Sequence, residues 1–571
     1  MQGGKVAVGG ISIILVVGVA IGLIAGLHGR GGHKSSDGDD NKILSTTTKA
    51  VAAICSPTDY KQQCVSSFQA LANNNSATPK DFLMAAIDIT MKEVKEAIGK
   101  SESIGLAGNS SGRQKMATED CKDLLQLAIG ELQASFSMVG DAAMHTINDR
   151  AQDLKNWLSA VISYQQSCID GFDETPEVKS AIQDGLLNAT QLTSNALAIV
   201  SEISAILSSF NIPLNFTSSF RRLLEATEES DRYPSWFSAA DRKLLGRVDN
   251  GKVTPNAVVA LDGSGQYKSI GAALAAYPKN LDGRYVIYVK AGIYDEYITI
   301  EKNLVNIFMY GDGPRKTMVT GQKSFLDGIT TYKTSSFSVI GNGFICKSMG
   351  FRNTAGPERH QAVALRVQSD NAAFFNCRMD GYQDTLYVQA HRQFYRNCVI
   401  SGTVDFIFGD STTVIQNSLI IVRKPLDNQQ NTITAHGRTE KRETTGLVIQ
   451  NCRIVPEEKL FPTRFKTPSY LGRPWKEYSR TVVMESTIGD FIQPAGWLPW
   501  MGNFALDTLY YAEYANRGPG ANTAQRVKWK GYKVITNRNE ALQFTAGPFI
   551  QGNEWLRLTG APYFLGLRRT M

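Results

Sequence analysis

A chain of 571 residues is longer than one compact domain and implies two or three. Its 43% hydrophobic and 20% charged content is that of globular protein and excludes a disordered tail, while fifty glycines among many Thr, Val, Ile and Tyr point to a large β part. The net charge of +7 is unevenly spread: residues 246–571 hold 39 Lys+Arg against 26 Asp+Glu, and the remainder 21 against 27. A basic C-terminal part suits a polyanionic partner.

Residues 1–34 contain Lys5, then 22 residues without a charge from Val6 to Leu27, then His28, Arg30, His33 and Lys34. That stretch is long enough to span a bilayer, so it reads as an uncleaved signal anchor or a long signal peptide, and the chain enters the secretory route. Glycosylation sequons at Asn74, Asn109, Asn188 and Asn215 agree with that route, and none lies beyond residue 217. A secretory leader disfavours nucleic acid and leaves an acidic polysaccharide or a membrane surface as the polyanion.

Residues 45–210 read as helices. Leu83, Ile87, Met91, Val94 and Ile98 recur at steps of three and four, as do Cys121, Leu125, Ala128, Leu132, Phe136 and Val139; a third stripe runs through Leu154, Leu158, Val161, Gln165 and Cys168, and a fourth from Val178 to Ile206. Four such stripes joined by loops predict an all-α antiparallel four-helix bundle. In a secreted chain the pairs Cys55 and Cys64, and Cys121 and Cys168, are expected as disulfides rather than metal ligands, since no His or acid cluster accompanies them. The fragment Gly108, Asn109, Ser110, Ser111, Gly112 matches G-x-S-x-G but lies in a polar loop without a preceding strand, so it is not expected to be a nucleophile elbow. This region, with AAICSPTDYKQQC and YQQSCIDGF, resembles the inhibitor domain of the invertase and pectin methylesterase inhibitor family, which implies action by binding rather than by chemistry.

Residues 211–250 form a linker. Arg221, Arg222, Leu223, Leu224 and Arg242, Lys243, Leu244, Leu245 are near-identical basic tetrapeptides around an acidic, Pro-containing run. Exposed connectors of this kind are where proteases cut, and both are expected to be processing sites.

From 251 to 571 short strand-like runs follow one another. Asn376 and Asn397, Cys377 and Cys398, and Asp384 and Asp405 are each 21 residues apart, and asparagine recurs at Asn353, Asn376, Asn397, Asn417 and Asn451. A period of about 20 to 25 residues built of short strands predicts a parallel solenoid in which one period is one coil. The asparagines are expected to stack at an internal corner, and Cys377, Cys398, Ser418 and Cys452 to point inward. Residues one period apart stack about 4.8 Å from each other, so Asp384 and Asp405 should form a close pair in which one keeps its proton and the other its charge. That is an acid with a nucleophile, or an acid with a base. Arg473 and Trp475, two apart in an extended segment, face one way and offer a guanidinium for a carboxylate and an indole face for a sugar ring. Gln361 and Gln383 supply uncharged donors fit for an oxyanion. His360, His391 and His436 form no evident Ser-His-Asp set.

GYQDTLY, SGTVDFIFG, HQAVALR, LGRPWKEYSRTVVM and AGWLPW resemble plant pectin methylesterases, and the likeness covers essentially all of residues 250–570. With the helical region in front, the chain resembles the precursor type, in which an inhibitor-like pro-domain precedes a right-handed parallel β-helix. The resemblance implies that Asp405 attacks the methyl ester carbonyl of a galacturonate, that Asp384 protonates departing methanol and then activates water, and that Gln361 and Gln383 hold the oxyanion. It places Thr331, Gln361, Arg473 and Trp475 in substrate-binding positions, implies no metal or organic cofactor, and makes the cell wall the destination. The implied partners are methyl-esterified homogalacturonan, a processing protease and a proteinaceous inhibitor. Where the family often has a cysteine after Cys398 this chain has Ser418, so that disulfide cannot form, and free thiols are favoured at Cys377 and Cys398. A β-helix polygalacturonase, which also uses a close acid pair, and a non-catalytic pectin-binding or inhibitor protein are the competing readings. The Gly-His-Gly and Arg-Ile-Lys signatures of polygalacturonases are absent from the sequence.

Overall fold

The computed structural model describes residues 50–210 and 254–568, apart from 73, 75, 108, 109 and 280. The leader at 1–34, the linker tetrapeptides Arg221 to Leu224 and Arg242 to Leu245, and the sequons at Asn109 and Asn215 lie outside the described residues. Asn74 and Asn188 are exposed. Among the described residues no helix is long and apolar enough to cross a membrane.

Four long helices carry the four apolar stripes. Helix α1 (Pro79–Gly105) begins where Thr78 and Asp81 close a capping box ahead of Pro79, and α2 (Gly112–Asp141) where the Ser111 hydroxyl accepts from the Gln114 amide. Ser111 and Gly112 of the G-x-S-x-G fragment are therefore a helix start. Helices α3 (Ala151–Asp170) and α4 (Pro176–Ser201) complete a ring in which α1 packs on α2 and α4, and α3 on the same two. Leu83, Ile87, Cys121, Leu125, Leu132, Leu158, Val161, Ile182 and Leu186 fill its centre, each at most 1% exposed. The Cys55–Cys64 disulfide closes the segment before α1, and Cys121–Cys168 ties α2 to α3, as the spacing predicts.

The second part is a parallel β-helix of three sheets with eleven, seven and eight strands, and every paired strand is parallel. One coil supplies one strand to each sheet: Arg392–Arg396 to the longest, Val399–Gly402 to the eight-stranded sheet and Ile407–Gly409 to the seven-stranded one. Alternate side chains point into the coil, where Phe344, Phe351, Phe374 and Tyr395 pack into one continuous core. Phe374 and Tyr395, paired in register on adjacent coils, stack with ring centroids 5.0 Å apart.

The turns leaving seven consecutive strands of the long sheet have a left-handed residue at the corner. Ser348, Asn376, Asn397, Asn417, Asn451, Glu485 and Ala515 occupy this column with φ between 48° and 58°, and asparagine tolerates that conformation better than most residues. The expected asparagine ladder exists here, since the Asn417 amide donates to Asn397 Oδ1 (2.6 Å) and the Asn451 amide to Asn417 Oδ1 (3.0 Å). Two points of the expectation are corrected. The column faces outward, with Asn376, Asn397 and Asn417 exposed, because a corner in the left-handed region turns its Cβ away from the coil. Asn353 is not a member: it ends the strand Gly350–Asn353, and its amide donates to the Lys323, Thr334 and Val363 carbonyls instead.

One residue further on, Cys377, Cys398, Ser418 and Cys452 do point inward, at most 4% exposed. Ser418 Oγ accepts from the Cys398 amide (3.0 Å), so the hydroxyl answers a backbone donor where no sulfur is available to bridge. Cys346, Cys377, Cys398 and Cys452 are buried free thiols.

Replacing Asn417 separates backbone strain from side-chain bonding. Asn417→Gly should cost less than about 1 kcal/mol, because glycine accepts positive φ, whereas Asn417→Val should cost about 2 kcal/mol. Urea unfolding checks this, and equal costs for the two variants would show that the turn conformation is not what asparagine serves.

Candidate active site

The seven-stranded sheet carries the cleft. Its strands are paired so that Ser338, Arg366, Tyr387, Phe408, Ala435 and Arg473 stand in one in-register row, one residue per coil. Leu386 pairs with Ile407, so Asp384 and Asp405, each two residues before its strand partner, occupy equivalent corners on adjacent coils. Both corners are left-handed, with φ of 63° at Asp384 and 50° at Asp405. Strained non-glycine backbone of this kind survives where surrounding structure over-determines it, and it concentrates at functional sites.

The two carboxyls have different surroundings. Arg473 donates from Nε to Asp405 Oδ1 (2.9 Å) and from a terminal nitrogen to Oδ2 (2.6 Å), forming a bidentate ion pair. The Thr432 hydroxyl donates to the same Oδ1 (2.6 Å) and accepts from the Asp405 amide (2.9 Å). Asp384 is 8% exposed; burial, then the charge of Asp405, push its carboxyl well above the usual range, with Arg473 opposing. Asp405 thus has a specific counter-ion, which reaches it from a strand two away in the same sheet.

Asp384 and Asp405 open into a cavity of about 330 Å³. Thr331, Gln361, Gln383, Arg473 and Trp475, all singled out from the sequence, line it too. The other aromatic residues were not: Tyr387 and Phe408 stack at 4.3 Å, with Phe408 edge-on to Trp475 at 6.0 Å, and Trp500 lies under the Arg473 guanidinium at 4.3 Å. Gly437 leaves room for Trp475, since a Cβ there would come within 3.0 Å of the indole. Tyr387, Phe408 and Trp500 lay within the motifs already quoted, and the 21-residue spacing, which sets Tyr387 three residues after Asp384 and Phe408 three after Asp405, could have found the first two. Of the histidines, His436 Nδ1 accepts from the Arg480 amide and His391 faces the bundle, so neither serves the acid pair.

The roof of the cavity is the helical bundle. Arg113, Asp120 and Leu124 of α2 and Ser167, Asp170 and Gly171 at the end of α3 line it opposite the acids. Six bundle carboxylates meet cations of the β-helix: Asp59 meets Lys441 (2.9 Å) and Arg442 (2.7 Å), Glu119 and Asp120 meet Lys333 (3.4 and 3.0 Å), Glu131 meets Lys302 (2.5 Å), Asp153 meets Arg392 (3.0 Å), and Asp170 meets Lys476 (2.5 Å). Buried polar groups add to them. Ser163 donates to the Gln389 carbonyl (2.8 Å), and Gln389 donates back to Ser167 (3.1 Å). Glu131 is 2% exposed; burial raises its carboxyl, but the nearby His391 and Lys302 outweigh that and hold it below the usual range. This interface was not legible in the sequence: Asn156, Ser159, Ser163, Ser167 and Asp170 of α3 recur at steps of three and four, a polar pattern that a water-facing helix shares.

Among the described residues no group of His, Cys, Asp and Glu is placed to hold a metal ion.

Two family models match the chain: Pectinesterase over residues 256–553 and Plant invertase/pectin methylesterase inhibitor over residues 49–199. Pectinesterase 1 of Citrus sinensis is 43% identical over 552 residues, covering 96% of this chain and 92% of its own length, and Pectinesterase 3 of the same species is 43% identical over 519 residues, covering 90% and 88%. The solved structure of a pectin methylesterase from carrot is 52% identical, with a TM-score of 0.55, and covers 55% of this chain and 99% of its own. Nearly the whole carrot chain is thus matched by little more than half of this one, about the share that the β part makes up. An acid pair of unlike environments, in an aromatic cleft of a β-helix that is matched in this way throughout, leaves one conclusion: the chain belongs to the pectinesterase family, enzymes that hydrolyse the methyl esters of pectin, and carries an inhibitor-family helical domain ahead of its catalytic fold.

Proposed function

We propose that Asp405 is the nucleophile and Asp384 the acid and base of this pectinesterase. The observation that carries the assignment is the contrast between the two carboxyls: Asp405 is aimed by Arg473 and Thr432, while burial, then the charge of Asp405, favour the protonated form of Asp384. Asp405 attacks the methyl ester carbonyl of a galacturonate, and Gln361 and Gln383 donate to the oxyanion that forms. Asp384 gives its proton to the departing methoxide, so methanol leaves and an acyl-Asp405 intermediate remains. Water then attacks the acyl carbon as Asp384 takes its proton, which frees Asp405 and releases a galacturonate carboxylate. Trp475, Phe408, Tyr387 and Thr331 line the cleft that receives the sugars.

The uncut chain cannot do this on a polymer, because α2 and α3 stand where the polymer must lie. The reading that follows is of a secreted precursor whose linker is cut by a protease near Leu224 or Leu245, releasing a basic enzyme to the cell wall. The free bundle is an inhibitor-type protein that holds its target through the same contacts.

Three outcomes follow. Asp405→Asn and Asp384→Asn should each lower methanol release from highly methylated pectin by several orders of magnitude while pectin binding persists. New reducing ends made by the wild type and lost in Asp405→Asn would identify a glycosidase instead. Residues 246–571 should release methanol and the uncut chain should not; adding Lys441→Ala and Arg442→Ala to the uncut chain should raise its residual activity by loosening the bundle.

The third outcome concerns pH. Unfolded Asp384 ionises near pH 4 whereas native Asp384 stays protonated, so above that pH unfolding releases a proton and wild-type stability falls by about 1.4 kcal/mol per pH unit until the native value is passed. Below about pH 4 both states are protonated and the penalty is absent. The thermal midpoint of Asp384→Asn should therefore match the wild type near pH 3.5 and exceed it increasingly towards pH 6. A pH-independent difference would contradict a protonated Asp384.

A further inference from the structure

The turn from Gly381 to Gln383 brings two groups into the cleft at once, since Gln383 lines the cavity and Asp384 follows it at a left-handed corner. Backbone bonds tie this turn to its neighbours. The Gly381 amide donates to the Ser401 carbonyl (3.2 Å), the Thr403 amide to the Tyr382 carbonyl (2.9 Å), the Ala362 amide to the Gln383 carbonyl (3.2 Å) and the Asp384 amide to the Val404 carbonyl (3.1 Å). The Ala362 bond joins the turn to the residue after Gln361.

A charged side chain completes the attachment. Arg423 follows the strand Leu419–Val422, which in the eight-stranded sheet lies two strands from Arg378–Asp380, the strand that leads into the turn. Its guanidinium donates to the Gly381 carbonyl (2.7 Å) and to the Tyr382 hydroxyl (2.8 Å), and lies over the Tyr382 ring at 3.8 Å. On its other side Glu457 accepts from Arg423 Nε (3.0 Å), while the second carboxylate oxygen accepts from the Lys424 amide (3.2 Å). The Glu457 amide donates to the Val422 carbonyl (2.7 Å), so the carboxylate is itself fixed to the strand that carries Arg423. Tyr382, Arg423 and Glu457 are not among the residues that line the cavity. Whereas Arg473 bonds the Asp405 carboxylate directly, Arg423 bonds the backbone and ring ahead of Asp384.

Resting on the roles proposed above for Asp384 and Gln383, we propose that Arg423, aimed by Glu457, is a positioning residue for the reaction: its fork on Gly381 and Tyr382 sets the turn that holds the oxyanion donor Gln383 and the acid Asp384 against the ester. Two groups on adjacent residues move together when their turn shifts, and a misplacement of about 1 Å costs about a hundredfold in rate. Thr331, Phe408 and Trp475, which line the cleft for the sugars, stand on other coils, so a shifted turn lowers kcat and leaves KM nearly as it was. A looser turn also admits water to Asp384. Burial is the first cause of its retained proton, so its carboxyl would ionise at lower pH and the alkaline limb of kcat/KM would move to lower pH.

The test folds the full chain whole, cuts it in the linker and follows methanol release from highly methylated pectin. Arg423→Gln should lower kcat by about a hundredfold, change KM less than about twofold, and shift the alkaline limb to lower pH. Arg423→Lys keeps the charge beside Glu457 but not the fork, so it should regain only a small part of the loss, whereas an ion pair that serves stability alone would be restored. Should Arg423→Gln fail to fold, Glu457→Gln, which keeps the fork but no longer aims it, should show the same split with kcat down about tenfold, the loss of one charged hydrogen bond. Arg464→Gln, which breaks the pair with Asp490 (3.0 Å) outside the cavity, should leave both constants unchanged. Wild-type kcat in Arg423→Gln or in Glu457→Gln, a loss carried by KM, or full recovery in Arg423→Lys overturns the positioning role while Asp384→Asn stays inactive. Activity retained in Asp384→Asn would instead sink the roles of the acids, and this proposal with them.

Discussion

Bringing two carboxyl groups onto adjacent corners of a β-helix is unfavourable unless one remains neutral or a cation intervenes, and the cleft does both. The geometry depends on the in-register parallel pairing of strands 21 residues apart, which sets Asp384 and Asp405 on equivalent corners. The balance of charge depends on Arg473, which is 68 residues from Asp405 in sequence and reaches it from two strands further along the same sheet. The two strained corners are held by those same strands, so loosening the sheet pairing would disturb the position and the protonation of the acids together.

The bundle and the β-helix recognise each other mainly by charge. A half-exposed lysine–carboxylate pair contributes little alone, but six bundle carboxylates over one basic face act as a patch, together with buried hydrogen bonds from Ser163 and Ser167. The excess of cations in residues 246–571, which suggested a polyanionic partner, is answered first by the chain's own N-terminal part. An interface of this kind can hold a cleft shut and still separate once the linker no longer keeps the two parts at high effective concentration.

Where the sequence reading went astray it did so at turns. An asparagine every 20 to 23 residues was legible, and so was its stacking, but a one-letter recurrence does not say on which side of the coil the residue stands. Asn353 shares the spacing without sharing the corner, whose place in that coil is taken by Ser348. Left-handed φ, not residue type, defines the column, and serine, glutamate and alanine also occupy it.

Sequence alone determined the two-part organisation, the four helices and their disulfides, the coil period and the acid pair with its glutamines, arginine and tryptophan. These are legible because they rest on local periodicity, 3.6 residues for a helix and one coil for a solenoid, and on motifs contiguous in the chain. Only the tertiary structure decided which of two buried acids is salt-bridged, because Arg473 and Thr432 reach Asp405 through strand register across intervening coils. It alone decided what covers the cleft, because a polar helix face in contact with water and one in contact with a complementary protein surface are written in the same residues. Asp120 and Asp170 became informative only once Lys333 and Lys476 were seen beside them.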